Sequence, residues 1–528
     1  MKGRDLSIEQ WFLTAPERGN PSTRIDLRRD PPTAWSLGNE VTPLVHGAVY
    51  FHALSAAVEL AGAGDLVLFT DWRGDPDEVV DDTGIAVSEL LSAAARRGVI
   101  VKGLIWRSHL DRLRFSAKEN RHLGEAIERA GGECLLDMRV RLGGSHHQKL
   151  CVVRYQEHPE RDVAFVGGID LCHSRRDDQR HAGDPQRQPM AKVYGERPPW
   201  HDIQLAIRGP AVADFETVFR ERWEDPTPPT RDPLRRLADL VRGDDDTPRP
   251  LPPQAADPPV AGSHAVQVLR TYPQRRRGYA FAPDGEHSVA RGYEKAVTRA
   301  RDLIYIEDQY LWSADVGEVF ARALRDQPGL RLIAVVPPFP DQDGAISEPP
   351  SLVGREAALR AMCTAGGDRV AVYGIENEAG VPIYVHAKVC IIDDEWASVG
   401  SDNFNRRSWT YDSELSAAVL DEARALADDG GFAQRLRLTL ACEHLGRDPL
   451  DTAGLRDASE AYETFARSAA ALEAWHESGQ RGPRPPGRLR PVVKRPVGRG
   501  TRIWATPTYL RLYDPDGRDR ASRRQGRY

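Results

Sequence analysis

The feature that most restricts this chain is a duplication. "SHHQKLCVVR" at 145–154 and "VHAKVCIIDD" at 385–394 set His147-Gln148-Lys149 and His386-Ala387-Lys388 ahead of an apolar run. Trp72 precedes His147 by 75 residues and Trp312 precedes His386 by 74. After each histidine come an apolar strand and a Gly turn ("FVGGIDLC", 165–172; "SVGSDNFN", 398–405). A strand led by an acidic residue follows ("WHDIQLAIRG", 200–209; "YDSELSAAVL", 411–420). A series repeated in order over this length marks a duplicated unit, so one fold must be built twice.

Within each copy, strand-like runs alternate with helical patterns. "DLVLFT" (65–70), "VIVKGLIW" and "CLLDMRV" are separated by helical stretches, as are "DLIYIED" (302–308), "LRLIAVV" and "RVAVYG". The alternation predicts an α/β fold in which helices cover a largely parallel sheet. Between Asp225 and His264 the chain is dense in Pro and Asp, with one short amphipathic piece around Leu234–Val241. The expected organisation is a first half over 1–230, a linker over 231–262, a second half over 263–445 and a C-terminal extension over 446–528.

Side chains two apart on a strand face the same way, so His147 and Lys149 project together, as do His386 and Lys388. Two lysines aimed into one pocket neutralise an anionic substrate without metal. A neutral imidazole is a competent nucleophile near pH 7, and a protonated one can hand its proton to a departing alcohol. Aligning the copies by their last strands sets Asp202 opposite Glu414 as candidate orienting carboxylates, with Asp170 the alternative for His147. Asn403, Ser401, Asp170 and the Gly167-Gly168 turn are the candidate phosphate-binding groups. His146 and His201 are expected to be structural, and Glu307 to pair with a cation near the site. Tyr310, Trp312, Trp409 and Tyr411 are expected in the core rather than in a lipid cleft.

These segments resemble the phospholipase D superfamily, whose mark is H-x-K-x(4)-D followed by G-[GS]-x-[ND], present twice. "HHQK", "FVGGIDLC", "PWHDIQLAIRGPAV", "YIEDQY" and "IYVHAKVCIIDDEWASVGSDNFNRRSWTYDSEL" are similar to the eukaryotic-type branch, in its order, over roughly 35–225 and 265–440. The resemblance implies two similar α/β halves related by a pseudo-two-fold axis, with the active site between them. It also implies that His147 attacks phosphorus to form a phosphohistidine and that His386 serves as general acid and base. The implied reaction is hydrolysis of a phosphatidyl lipid such as phosphatidylcholine to phosphatidate, or transfer to an alcohol. The alternatives are a phosphatidyltransferase or nuclease of the same superfamily, or a non-catalytic lipid-binding scaffold.

One position departs from the pattern. Asp393 stands four residues beyond Lys388, but Arg154 stands four beyond Lys149. Seven residues of strand span about 23 Å, so this position is expected to support the strand end rather than the chemistry. Arg154→Asp is therefore expected to leave the reaction type intact and to change its rate modestly.

Composition bounds the rest. The six cysteines lack a C-x-x-C pair and read as reduced thiols. No D-x-[DN]-x-[DN]-G calcium loop occurs, and neither metal nor cofactor is expected. Residues 481–528 carry 14 Lys/Arg against 3 Asp/Glu, a net of +11 within an overall −6 that leaves −17 elsewhere. That balance disfavours a broad nucleic-acid groove. It predicts a solvated basic tail able to approach anionic lipid. With no apolar run of membrane-spanning length and no secretory-type start, the expectation is a cytoplasmic monomer, peripheral at the membrane where the tail engages it.

Overall fold

In the computed structural model of this chain, residues 8–108, 117–230, 247–422, 430–493 and 495–528 are described. The first half contributes β1 (Ser36–Val45), β2 (Leu66–Asp71), β3 (Ile100–Trp106), β4 (Glu133–Asp137), β5 (Leu150–Arg154), β6 (Val163–Gly167), β7 (Trp200–His201) and β8 (Ile203–Arg208). The second contributes β9 (His264–Tyr272), β10 (Glu286–His287), β11 (Leu303–Asp308), β12 (Arg331–Val335), β13 (Val370–Ile375), β14 (Tyr384–Val385), β15 (Lys388–Ile392), β16 (Trp396–Gly400), β17 (Glu414–Asp421) and β18 (Leu489–Pro491).

Fifteen of these strands form one path in the order β18-β13-β12-β11-β15-β16-β17-β9-β1-β8-β6-β5-β2-β3-β4, with β10 added beside β9. Leaving out β18, the order is a palindrome about the antiparallel β1–β9 seam, where Ser36 pairs with Val266 and Asn39 with His264. The halves are thus two copies of a seven-strand unit joined edge to edge, which leaves neither seam strand as an open edge. The sheet is mixed rather than largely parallel. Only β2-β3-β4 and β11-β12-β13 run parallel, because helices connect just those strands. The inner strands are antiparallel, with short connections at β5–β6 and β15–β16 and longer segments between β6 and β8 and between β16 and β17.

Apolar runs rather than alternating patterns build these strands because both faces are covered. Leu66 and Leu68 face a core that also holds Phe215, Phe219, Phe432 and Leu436, from the helices Ala211–Trp223 and Phe432–His444. Val67 and Phe69, one residue out of phase, face a second core under the helices Gly47–Leu60 and Val87–Arg96. In the second half Leu303 and Tyr305 share the first core while Ile304 and Ile306 face a third.

The strand registers correct the alignment read from the sequence. Phe69 pairs with Cys151 and Ile306 with Cys390, so Asp71 is the counterpart of Asp308 and Trp72 that of Gln309, not of Trp312. The basic tail is also not a solvated appendage. β18 pairs with β13, Arg518 bonds Asp315 at 2.7 Å, and the Tyr528 ring packs on Trp409 at 5.5 Å. Residues 247–262 strap the first half, with Arg249 on Glu133 and Asp257 on Arg29. The amphipathic piece at 234–241 lies outside the described residues.

Candidate active site

The two H-x-K segments sit just before β5 and β15, and each is held in place by the opposite half. The backbone N–H of His147 donates to the Ser413 carbonyl at 2.9 Å, and that of His386 to the His201 carbonyl at 2.7 Å. Immediately before His386, β14 pairs in parallel with β7. These exchanges set each histidine beside the acidic strand start of the other copy.

The orienting carboxylates are consequently crossed. Nδ1 of His147 donates to Oε2 of Glu414 at 2.9 Å, and Nδ1 of His386 donates to Oδ2 of Asp202 at 2.6 Å. Each pairing commits one ring nitrogen and leaves Nε2 for chemistry. Asp170, the alternative for His147, does not reach it. Its carboxylate bonds Lys149 Nζ at 3.2 Å and Arg175 at 3.2 Å. Burial alone would raise the pKa of Asp170, but Lys149 and Arg175 overcome this and hold it well below the ordinary carboxylate range. A buried anion already engaged by two cations is no phosphate ligand, so Asp170 positions Lys149 instead.

Two other candidate phosphate groups change role for the same reason. The Gly168 N–H donates to the Ile203 carbonyl at 3.0 Å and is not free for a phosphoryl oxygen. A Cβ at Gly168 would lie 2.1 Å from Asp202 Oδ1, so glycine is required there to let Asp202 approach. Ser401, at the equivalent place in the second half, donates from Oγ to Glu414 Oε2 at 2.5 Å. Asn403 is buried, and its side chain makes no hydrogen bond among the described residues, which leaves its amide N–H groups to donate to a phosphoryl oxygen; of the four, it alone stays a phosphate-binding candidate.

The lysines are supported differently. Lys149 Nζ donates to the His147 carbonyl at 3.1 Å, while Lys388 Nζ donates to the His386 carbonyl and, at 3.2 Å, to Gln309 Oε1. Burial, offset only in part by Asp202 and assisted by Lys149, brings the Lys388 ammonium down to about 8. Burial, with Lys388 and Arg175, also holds the His386 imidazole well below its usual pKa.

Several positioning residues were invisible in the sequence. Asp71 and Asp308 end β2 and β11 and accept backbone N–H groups from the Gly turns, Leu171 at 2.9 Å and Phe404 at 2.9 Å. The only signal was an aspartate closing each strand, in "FTDW" and "IEDQ". The Trp200 ring lies 5.0 Å from that of His386 and carries the Arg175 guanidinium 4.1 Å from its centre. Glu307 accepts from His201 at 2.6 Å and from His444 at 2.7 Å, and His146 is fully buried.

Arg154 does not touch the site. It bonds Asp162 at 2.7 Å and Glu216 at 2.5 Å, and donates to the Ala256 carbonyl at 2.7 Å. Asp393 instead accepts the backbone N–H groups of Arg301, Asp302 and Leu303 at 2.7–2.9 Å. The same strand end is therefore pinned by an anion in one half and by a cation in the other.

Beyond Gln309 lies a narrow pocket with space for about one water, lined by Tyr310, Trp312, Phe339, Asp341, Arg355 and Tyr384. Trp312 edges this pocket but is buried, as expected, in a small apolar cluster with Val353, Ala505 and Tyr509, and Tyr310 is half-buried against it; Trp409 is buried as well. The loops at 173–199 and 337–350 meet over this region, with Ala191 N–H on the Asp341 carbonyl at 2.8 Å and Tyr194 OH on the Phe339 carbonyl at 2.5 Å.

The chain is similar in sequence to known proteins over much of its length. Residues 77–317 match the family described as "Phospholipase D" and residues 354–432 that described as "Cardiolipin synthase, PLD-like domain". Phospholipase D alpha 1 of Cynara cardunculus is 28 % identical over 417 residues, 60 % of this chain and 51 % of its own length. Phospholipase D alpha 1 of Zea mays is 26 % identical over 513 residues, 73 % of this chain and 62 % of its own length. The chain therefore spans half to two-thirds of these relatives. The crystal structure of phosphatidylserine synthase from Haemophilus influenzae superposes with a TM-score of 0.48 at 14 % identity, covering 73 % of this chain and 83 % of that one. This chain belongs to the phospholipase D superfamily.

Proposed function

We propose that the protein is a phosphodiesterase that cleaves glycerophospholipids such as phosphatidylcholine to phosphatidate, transferring the phosphatidyl group to an alcohol when one competes with water. The observation carrying this reading is the crossed pair of His–carboxylate bonds, which presents two imidazole Nε2 atoms beside two lysines. Nε2 of His147 attacks phosphorus. As the P–N bond forms, the bond from phosphorus to the head-group oxygen breaks, and that oxygen takes the proton from Nε2 of His386. Water or an alcohol then gives its proton back to His386 and attacks phosphorus, and the P–N bond breaks. A phosphate anion beside Lys149 and Lys388 offsets the cations that keep His386 deprotonated, so substrate itself favours the acid form. His147 has the more exposed side chain, 15 % against 6 % for His386, which suits the nucleophile.

The rings of Tyr310, Trp312 and Tyr384 stand with both Asp341 and Arg355 around one pocket, so this wall offers either charge and does not by itself select a cationic head group. Among the described residues no helix is long and apolar enough to cross a membrane, yet Ile503, Trp504, Leu510 and Leu512 of the C-terminal segment are 79 %, 36 %, 44 % and 67 % exposed. Apolar side chains flanked by Arg499 and Arg511 suit docking on anionic lipid. The deciding experiment is incubation with phosphatidylcholine and ethanol. Phosphatidylethanol formed by the native chain and by neither His147→Ala nor His386→Ala supports the reading; lipid binding without product would replace it with a scaffold.

A further inference from the structure

Glu443, on the helix Phe432–His444 of the second half, is ringed by three imidazoles of the first. Its Oε2 lies 2.8 Å from His46 Nε2, and its Oε1 lies 3.0 Å from His181 Nε2 and 3.5 Å from His201 Nδ1. The four donor groups lie within 4.8 Å of one another, and the three histidines are 0–3 % exposed. None of them has a part in the phosphodiester chemistry.

The placement of protons makes the cluster unusual. His181 Nδ1 faces the Trp200 carbonyl at 3.0 Å; a carbonyl only accepts, so this nitrogen carries the hydrogen. His201 Nε2 faces Glu307 Oε2 at 2.6 Å and carries its hydrogen for the same reason. With a single hydrogen on each ring the other nitrogen presents a lone pair, and in both cases it points at Glu443, whose oxygens are also acceptors. At His201, where burial is outweighed by Glu307 and Glu443 and the pKa is raised to about 10, a second proton takes that place when no metal does. Nδ1 of His201 makes no hydrogen bond among the described residues. Lone pairs converging in a site of low polarity repel unless a cation lies between them.

We propose that His46, His181, His201 and Glu443 bind one Zn2+ ion. Three imidazoles and a carboxylate are a zinc donor set, without the sulfur that softer metals favour. Bonds of ~2.0–2.1 Å in a tetrahedron set neighbouring donors ~3.3 Å apart, close to the 2.8, 3.0 and 3.5 Å between the carboxylate and the rings. For two of the three rings the outer partners match those of metal-bound histidines, since His181 donates to a carbonyl and His201 to a carboxylate; His46 Nδ1 has no partner among the described residues.

The ion joins the halves at a chosen point. His201 immediately precedes Asp202, and the His46 N–H donates to the Asp202 carbonyl at 2.9 Å. Fixing these residues fixes the carboxylate that holds His386. The site is structural, and no sequence motif announced it because its ligands are scattered over 46, 181, 201 and 443.

The test is elemental analysis of the full chain produced with zinc present and then dialysed, paired with the absorption spectrum after Co2+ replacement. About one zinc per chain and an intense four-coordinate Co2+ spectrum are expected. His46→Gln and Glu443→Gln should lose the ion or bind it 10–100-fold or more weakly, His386→Ala should keep it, and a chelator should lower the melting temperature of the native chain. A native chain that takes up no zinc on titration overturns the proposal, leaving extra protons as the cation. Zinc retained by both ligand variants also overturns it. Should those variants not fold, a native Co2+ spectrum without four-coordinate bands has the same effect.

Discussion

Glu414 holds Nδ1 of His147 at 2.9 Å although the two residues belong to different halves of the chain. Asp202 does the same for His386 from the opposite direction. Neither half contains a complete histidine–carboxylate unit, so the site exists only when the seam is closed.

Glu414→Gln and Asp202→Asn should each lower kcat by about 10²–10⁴ with little change in KM, because an amide admits the wrong tautomer and stabilises the imidazolium less. Under the proposed mechanism, His147→Ala should abolish both turnover and any covalent adduct. Single-turnover kinetics with acid-quench trapping of the phosphoenzyme measures both.

Gly168→Ala should reproduce the Asp202→Asn defect without touching a reacting group. Its Cβ would stand 2.1 Å from Asp202 Oδ1 and must push the carboxylate from His386. Near-native activity in a folded Gly168→Ala protein would contradict this spacing role.

Arg154→Asp, expected from the sequence to alter the rate modestly, should act on stability. It would set a third carboxylate beside Asp162 and Glu216 in place of a buried cation, leaving Arg220 on Glu216 as the remaining partner, a change that typically costs about 3–5 kcal/mol. Replacing Arg154 and Glu216 together by apolar residues should cost less. Chemical denaturation reads the difference, and turnover per folded molecule should stay close to native in both.

The Lys388 ammonium, lowered to about 8, is charged below that pH and neutral above it. If it neutralises the substrate phosphate, kcat/KM should decline above about pH 8. Lys388→Arg, whose guanidinium stays charged, should lack this alkaline limb at whatever activity remains.

Trp504→Ala with Leu512→Ala should weaken binding to anionic vesicles and slow turnover of vesicle lipid several-fold. A soluble short-chain substrate should be cleaved at the native rate. Equal losses on both substrates would place the defect in folding rather than docking.

The sequence by itself determined the duplication, the α/β character and which side chains are candidates for the chemistry, because strand parity and motif order are local. His147 with Lys149 and His386 with Lys388 needed nothing beyond two-residue spacing. It also set Arg154 apart from His147, since seven extended residues separate the two. Only the tertiary structure decided which carboxylate serves which histidine, since exchange of Glu414 and Asp202 across the seam depends on strands meeting from different halves. It likewise decided that Gly168 and Ser401 shape the carboxylates rather than grip phosphate, and that the basic tail folds back. The histidines around Glu443 came together for the same reason: a buried donor set spread over nearly 400 residues leaves no local pattern, and only packing reveals that its lone pairs converge.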